Sequence, residues 1–420
     1  MGFASAYLAN KTISDRLFAG IPEKNTAIII IIPAFDEPGI INTLDSLNSC
    51  TEPPCALELI VLINAPPGAG NSQIEQNNIT YRELQAWKKK NKNSFIKLLC
   101  HNTGIRSRHD WGVGMARKIA MDEAARRFNS IDNPGGAIVS LDADCSVSDN
   151  YLLELYNELY REAGRRACSV YFEHPLEGEM PAEVYNAVSQ YELHLRYYYQ
   201  GLRFSSYPWV FHTLGSALAV KADAYVKAGG MNKRQGAEDF YFIQKLVPSG
   251  GFFYLKGPTV IPSARRSLRV PFGTGPVINN MCSSDTKDYL TYNPGGFESL
   301  KQLFDNVLQF WEMDPGQADK FPGTLKAGLK EFLHLNHWSA KIREIKDNTS
   351  SPDSFRKRFF TWFNMFRVVK YLNFAHNADC PYLGRMPVIQ AAARMLEKKG
   401  YAAGAYDSRE LLGIYRELEK

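Results

Sequence analysis

Ala27-Ile28-Ile29-Ile30-Ile31-Ile32-Pro33-Ala34-Phe35-Asp36-Glu37 is the stretch on which the reading of this chain turns. Its apolar part, Ala27–Ile32, is continuous rather than alternating and is rich in β-branched residues, so it predicts a strand buried on both faces. It is far shorter than the ~20 apolar residues a membrane span requires. Working outward, Leu57–Ile63, Phe95–Cys100 and Ala137–Leu141 read as further strands. Helical patterns at Gly39–Asn48, Ile74–Lys92 and Val113–Phe128 separate them, and Tyr151–Ala163 should follow as a helix capped by Ser148 or Asp149. Strand alternating with helix predicts βαβ units and a mostly parallel sheet flanked by helices, an α/β fold.

The chain has 420 residues, with Lys+Arg 49 against Asp+Glu 44, a formal net charge of +5. That mild excess does not call for nucleic acid; it suits anionic small molecules or an anionic surface. Hydrophobic residues at 45% and charged residues at 22% are ordinary for a folded protein. Residues 1–20 lack a basic start followed by an apolar stretch, so no signal peptide is expected. The seven cysteines (Cys50, Cys55, Cys100, Cys145, Cys168, Cys282 and Cys380) are odd in number and form no CxxC, which argues against a disulfide framework or zinc ribbon and for a reducing cytoplasm. From about Asn280 the strand-like runs vanish. Helical patterns follow at Phe297–Trp311, Leu325–Ile345, Phe355–Phe374, Val388–Lys399 and Arg409–Glu419, punctuated by Pro and Gly. The expected organisation is a catalytic domain over 1–280 and a helical C-terminal region over 281–420.

Ligands of open α/β sheets bind beyond the carboxyl ends of the strands. The first strand delivers Pro33, Ala34, Phe35, Asp36 and Glu37 to that edge instead of a glycine fingerprint: an aromatic to stack on a base, acids to hold ribose hydroxyls. The second delivers Asn64, a reader of base edges. Gly112-Val113-Gly114-Met115-Ala116-Arg117-Lys118 opens a helix where Arg117 or Lys118 could meet a phosphate. The fourth strand delivers Asp142-Ala143-Asp144. Two carboxylates one residue apart point the same way from an extended backbone, and such like charges ask for a cation. Oxygen ligands suit Mn2+ or Mg2+ bridging to a diphosphate. Gly229-Gly230-Met231 precedes Glu238-Asp239, which reads either as a dipole complement at a helix start or as a general base. The basic loop Arg265-Arg266-Ser267-Leu268-Arg269 through Gly275 reads as a lid for an anion or as an exposed charge cluster.

In this order, Ile30–Glu37, Ala116-Arg117-Lys118, Leu141–Asp144 and Gly229–Met231 with Glu238-Asp239 resemble the motifs of the family 2 glycosyltransferases of the GT-A fold: "IIIPAYNE", "ARN", "DAD" and "GGF…ED". The resemblance covers about 25–255. It implies a nucleoside-diphosphate sugar donor, a hydroxyl acceptor such as a saccharide, a divalent metal (Mn2+ or Mg2+) and inversion at the anomeric carbon. It assigns Pro33, Ala34, Phe35 and Glu37 to the nucleoside, Asn64 to the position of an Asp that reads uracil, Asp142 to ribose or metal and Asp144 to the metal. It makes Asp239 the catalytic base, with Glu238 orienting the acceptor. Arg117, Arg265 and Arg269 remain donor contacts on the reading of their charge alone.

Two other readings compete: a nucleotidyltransferase of similar sheet, which would want a Gly-rich basic loop after the first strand, and a non-catalytic binding or assembly module on a degenerate GT-A-like fold. Residues 174–215, with Tyr191, Tyr197, Tyr198, Tyr199, Tyr207, Trp209 and His212, offer aromatic platforms for a sugar ring or, equally, a helix core. The segment Phe355–Phe374 spaces Phe355, Phe359, Trp362, Phe363, Phe366 and Val369 on one helical stripe, with Arg356, Lys357, Arg367 and Lys370 largely off it. The stripe is expected to be mostly buried against its neighbours. The alternative is a peripheral helix on the inner face of a membrane.

Overall fold

The computed structural model describes residues 2–420 apart from 106–111, 234–235, 268, 270–272, 285 and 379–381. The chain forms two compact units, residues 1–185 with 213–280 and residues 186–212 with 281–420. The stretch 186–212, which a single cut at 280 would leave with the first unit, groups with the second.

The first unit is built on an eight-stranded sheet: β1 (Thr26–Ala34), β2 (Ala56–Ala65), β3 (Ile96–Ile105), β4 (Ala137–Ser140), β5 (Cys145–Val147), β6 (Ala167–Phe172), β7 (Leu218–Lys221) and β8 (Phe252–Pro262). The order is β3-β2-β1-β4-β7-β6-β8-β5. β3, β2, β1 and β4 run parallel; β7 is antiparallel to β4 and β6, β8 is parallel to β6, and β5 is antiparallel to β8. The expected class is therefore what the chain adopts: a mostly parallel sheet flanked by helices, followed by a helical region. Ile28 to Ile32 are all fully buried, as an uninterrupted apolar run requires. β4 and β5 are the fourth and eighth strands in order yet only residues 141–144 join them. In a flat sheet they would lie about 19 Å apart, so the sheet curls and the short link from β4 to β5 turns at the site.

The helix Val113–Ser130 packs on β1 and β2. Its buried charges are answered inside the unit: Lys118 Nζ lies 2.9 Å from Asp122, and Arg127 donates to both Glu58 oxygens at 2.5 and 2.7 Å. Residues of the N-terminal segment join the same network, Tyr7 OH donating to Asp122 at 2.7 Å and Arg127 Nη1 donating to the Gly20 carbonyl at 3.0 Å. The helix after β5, Tyr151–Arg161, is flanked by Asn150 without a side-chain cap, so neither Ser148 nor Asp149 serves as expected. Ser148 instead hydrogen-bonds to the Asn150 side chain at 2.7 Å.

In the second unit three long helices expected from periodicity are each broken in two. Phe297–Trp311 becomes Pro294–Phe304 and Val307–Glu312, Leu325–Ile345 becomes Ala327–Leu335 and Trp338–Asp347, and Phe355–Phe374 becomes Pro352–Trp362 and Met365–Ala375. An Asn stands at every break, Asn306, Asn336 and Asn364. Asn336 Nδ2 bonds back to the Phe332 carbonyl at 2.7 Å, and Asn364 caps the next helix by accepting the Arg367 N–H at 3.1 Å. The region is also not free of strands: β9 (Leu290–Thr291) pairs antiparallel with β10 (Met386–Pro387), two residues each and too short to leave an alternating pattern.

The tyrosine-rich stretch is likewise packing. Its helix, Ala182–Phe204, buries Tyr197, whose hydroxyl donates to the Tyr292 carbonyl at 2.8 Å. Tyr199 stacks on His212 with ring centroids 4.6 Å apart, and Tyr207 meets Trp209 and Phe360 edge-on. Arg196 and Glu192, both fully buried, join the sequence-distant Glu419: Arg196 Nη1 donates to Glu419 at 2.6 Å, and His212 Nε2 lies 2.8 Å from the same carboxylate. The stripe residues Phe355, Phe359 and Phe363 are buried as expected, whereas Trp362, Phe366 and Val369 are only half-buried.

Candidate active site

At the carboxyl ends of β1, β2 and β4 the acids and arginines of the first unit converge. The fold brings them there by strand register: Ile31 of β1 is level with Ser140 of β4, so the turns after Ala34 and Ser140 emerge side by side. Backbone strain marks both halves of the site. Asp36 (φ 50) and Ala237 (φ 56) are left-handed without being glycine. Asp36 is held by Asn77, which accepts its N–H at 2.9 Å and donates to the Asn64 carbonyl at 3.1 Å.

Arg117 is the hub. Its guanidinium is buried, donating to Asp142 at 2.5 Å, to the Ser140 hydroxyl at 3.0 Å and to Glu238. Sequence alone offers it, or Lys118, as a phosphate contact or as a solvated helix residue; in the structure it is buried and its guanidinium is paired with Asp142 and Glu238. Gly215 has to be glycine for the same reason, since a Cβ there would stand 2.7 Å from the Arg117 guanidinium. The amide of Gly215 donates to Asp239 Oδ2 at 2.8 Å, and the Phe240 amide donates to Oδ1 at 2.7 Å. Burial, then the neighbouring charge of Glu238, pushes the Asp239 carboxyl up to about 7 against the pull of Arg117. Thus of two adjacent acids opening the helix Glu238–Leu246, one is ion-paired and the other is placed to exchange a proton near neutrality.

Asp144 is the second perturbed acid. Burial raises its carboxyl to about 6, with Asp142 and Glu37 adding to the effect and Arg265 opposing it. Thr43 donates to the Ala143 carbonyl at 3.0 Å and fixes the turn. Glu37, expected on the nucleoside, is buried and clamps two arginines: Arg265 donates to it at 2.8 Å and Arg269 at 2.7 Å. Arg265 Nη2 also donates to Asp144 at 2.9 Å, and Arg269 Nη1 donates to the Asp36 carbonyl at 2.7 Å. The basic loop is therefore folded onto the acids. Of the lid expected over 265–275, residues 268 and 270–272 lie outside the described residues. Pro33 and Ala34 are buried at the end of β1, Phe35 is half-buried, and Asn64 is buried at the end of β2.

Sequence reasoning missed Ser140, Gly215 and the clamping role of Glu37. Each acts through a partner at least 23 residues away, which no local motif carries.

Asp144 and Asp142 would offer Mn2+ or Mg2+ carboxylate oxygens, which suit either ion. Among the described residues no three His, Cys, Asp or Glu side chains form a ready-made cluster. Asp144 nevertheless fits the ion: it is a half-buried carboxylate whose present partner, Arg265, is itself a cation.

No protein-family model matches the chain, and no curated protein does. Among solved structures it is similar to S. aureus TarS residues 1–349 in complex with UDP-GlcNAc, at 12% identity over 81% of this chain and 93% of that one, TM-score 0.41. It is also similar to the mannosyltransferase PcManGT from Pyrobaculum calidifontis in complex with GDP-Man and Mn2+, at 14% identity over 99% of this chain and 91% of that one, TM-score 0.36. Likenesses this distant assign no function.

Proposed function

We propose that the chain is an inverting glycosyltransferase that moves a sugar from a nucleoside-diphosphate donor to a hydroxyl acceptor, with Asp239 as general base. The observation that supports this reading most is the pair of perturbed acids in one charged site, Asp239 at a helix start and Asp144 at the end of β4, separated in role by Arg117 and Arg265. Asp239 takes the proton of the attacking hydroxyl while the amides of Gly215 and Phe240 hold its carboxylate in place. Arg117 donates to both Glu238 and Asp142 and fixes them, so that Glu238 orients the acceptor. Phe35, Asn64 and the β1 end take the nucleoside. Asp144, with Asp142, would hold the divalent ion, which when bound supplies Lewis-acid stabilisation of the departing diphosphate. Arg265 and Arg269 leave Glu37 in part to meet the same developing charge.

The internal pairing of Glu37, Asp142, Asp144 and Glu238 with arginine favours a second reading, a binding module whose acids serve structure alone. Calorimetric titration of UDP- and GDP-sugars with and without Mn2+ separates the two. Metal-dependent donor binding, abolished in Asp144→Asn and kept in Asp239→Asn while turnover falls by ~10²–10⁴, is the expected result. Binding and hydrolysis absent for every donor would leave the module reading.

A further inference from the structure

In the second unit, residues 354–378 contain Arg356, Lys357, Arg358, Arg367 and Lys370 and not a single Asp or Glu. Of these cations only Arg358 has a carboxylate partner among the described residues, Glu344 at 2.7 Å. Arg367, Lys370 and Arg356 are held by rings instead. The Arg367 guanidinium lies 4.6 Å from the Trp362 ring centroid, Lys370 Nζ lies 4.6 Å from that of Phe366, and the Arg356 guanidinium lies 5.7 Å from that of Phe360. Burial without a compensating acid lowers the Arg367 pKa, and its Nη1 has no acceptor. On the helix Met365–Ala375 the residues Phe366, Arg367, Lys370 and Phe374 follow a three-to-four spacing and none is fully buried; Val368, Tyr371, Leu372 and Ala375 are the buried side. The exposed Tyr382 packs on Phe374 with centroids 5.6 Å apart, extending the aromatic border.

We propose that this face, Trp362, Phe366, Arg367, Lys370 and Phe374 with Tyr382, docks the protein on an anionic phospholipid bilayer. Half-exposed rings beside unpaired cations are the composition of an interfacial helix: the rings enter the headgroup boundary and the cations meet lipid phosphates. Charge complementarity selects this occupant. The face offers no acid to a basic partner, and its rings, which hold the cations flat against the helix, give a nucleic-acid backbone no projecting comb of charges. The inference does not rest on the proposed transferase activity. No helix among the described residues is long and apolar enough to cross a membrane, so the contact would be peripheral.

Flotation of the full chain with vesicles tests it. Co-flotation with phosphatidylglycerol–phosphatidylcholine vesicles, weakened by salt and absent on phosphatidylcholine alone, is expected. Lys370→Glu alone, at an exposed position, should weaken partition, and Arg367→Glu with Lys370→Glu should weaken it about tenfold or more. Phe366→Ser should weaken it at unchanged charge. The control is Lys89→Glu with Lys90→Glu, exposed lysines at the end of the helix Asn71–Lys90, which alter net charge by the same amount. Equal loss in the control, no flotation, or retention by heparin without vesicle binding would each overturn the proposal.

Discussion

Arg117 ties together three oxygens contributed by β4, by the turn after it and by the helix Glu238–Leu246. Removing it leaves the buried Glu238 carboxylate without this counter-charge, so Arg117→Met should cost on the order of 3 kcal/mol, read as a fall in thermal unfolding temperature. Gly215→Ala drives a methyl into the same guanidinium and shifts the amide that holds Asp239. Its expected signature is a kcat lower by about 10²-fold with donor affinity retained. Because the Asp239 carboxyl is raised to about 7, it is protonated and idle below that pH. The pH profile of kcat/KM should rise through about 7 and level off, and Asp239→Asn should lose that limb. A flat profile between pH 6 and 8, spanning the raised value, would remove Asp239 from the role of base. The motifs around Asp142, Asp144, Glu238 and Asp239 were visible as short strings because strand ends and helix starts are local. The direction in which Arg117 points was not, since its partners Asp142 and Glu238 are distant in sequence.

At the scale of elements, β1, β2 and β4 were legible because two-sided burial leaves unbroken apolar runs such as Ile28–Ile32, while the edge strand β3 is only partly buried. β5 to β8 were not read: β5 and β7, of three and four residues, show neither alternation nor length, whereas β6 and β8, of six and eleven, were long enough and were missed. The three broken helices failed to show for a related reason: the apolar period continues across Asn306, Asn336 and Asn364, and the breaks are set locally, by the Asn364 cap and by the left-handed His337 after Asn336. On the long helix Ala182–Phe204, His194 is half-buried against Tyr289 and lies 2.7 Å from Thr291 Oγ1. Burial, with Arg385 adding to it, lowers its pKa from 6.5 to about 4. The unfolded chain therefore takes up this proton first as the pH falls. The stability His194 contributes is complete above pH 6.5 and is lost progressively down to about 4, a total of about 3 kcal/mol at 1.36 kcal/mol per unit. Thermal unfolding between those limits should therefore show a slope that flattens in His194→Gln.

At the scale of the whole chain, the second unit is assembled from two stretches separated by 213–280, and its buried charges bridge them. Glu419 accepts from Arg196 and lies against His212, so Glu419→Gln removes one counter-charge of a fully buried guanidinium that also pairs with Glu192. A loss of roughly 3 kcal/mol or more is expected from this single substitution, seen as earlier unfolding by circular dichroism. A change of under ~0.5 kcal/mol would show that Arg196 does not depend on the Glu419 charge. None of this bridge was legible beforehand, since charged residues 223 positions apart share no motif.

That separation also sets a timetable for synthesis. Arg196 leaves the ribosome 223 residues before Glu419. At about 5–20 residues per second the interval is on the order of 10–45 s. Through it, Tyr197, Leu193 and the rest of their apolar helix face have no partner from 281–420 to cover them, a natural client surface for a chaperone that holds nascent chains until the acid arrives.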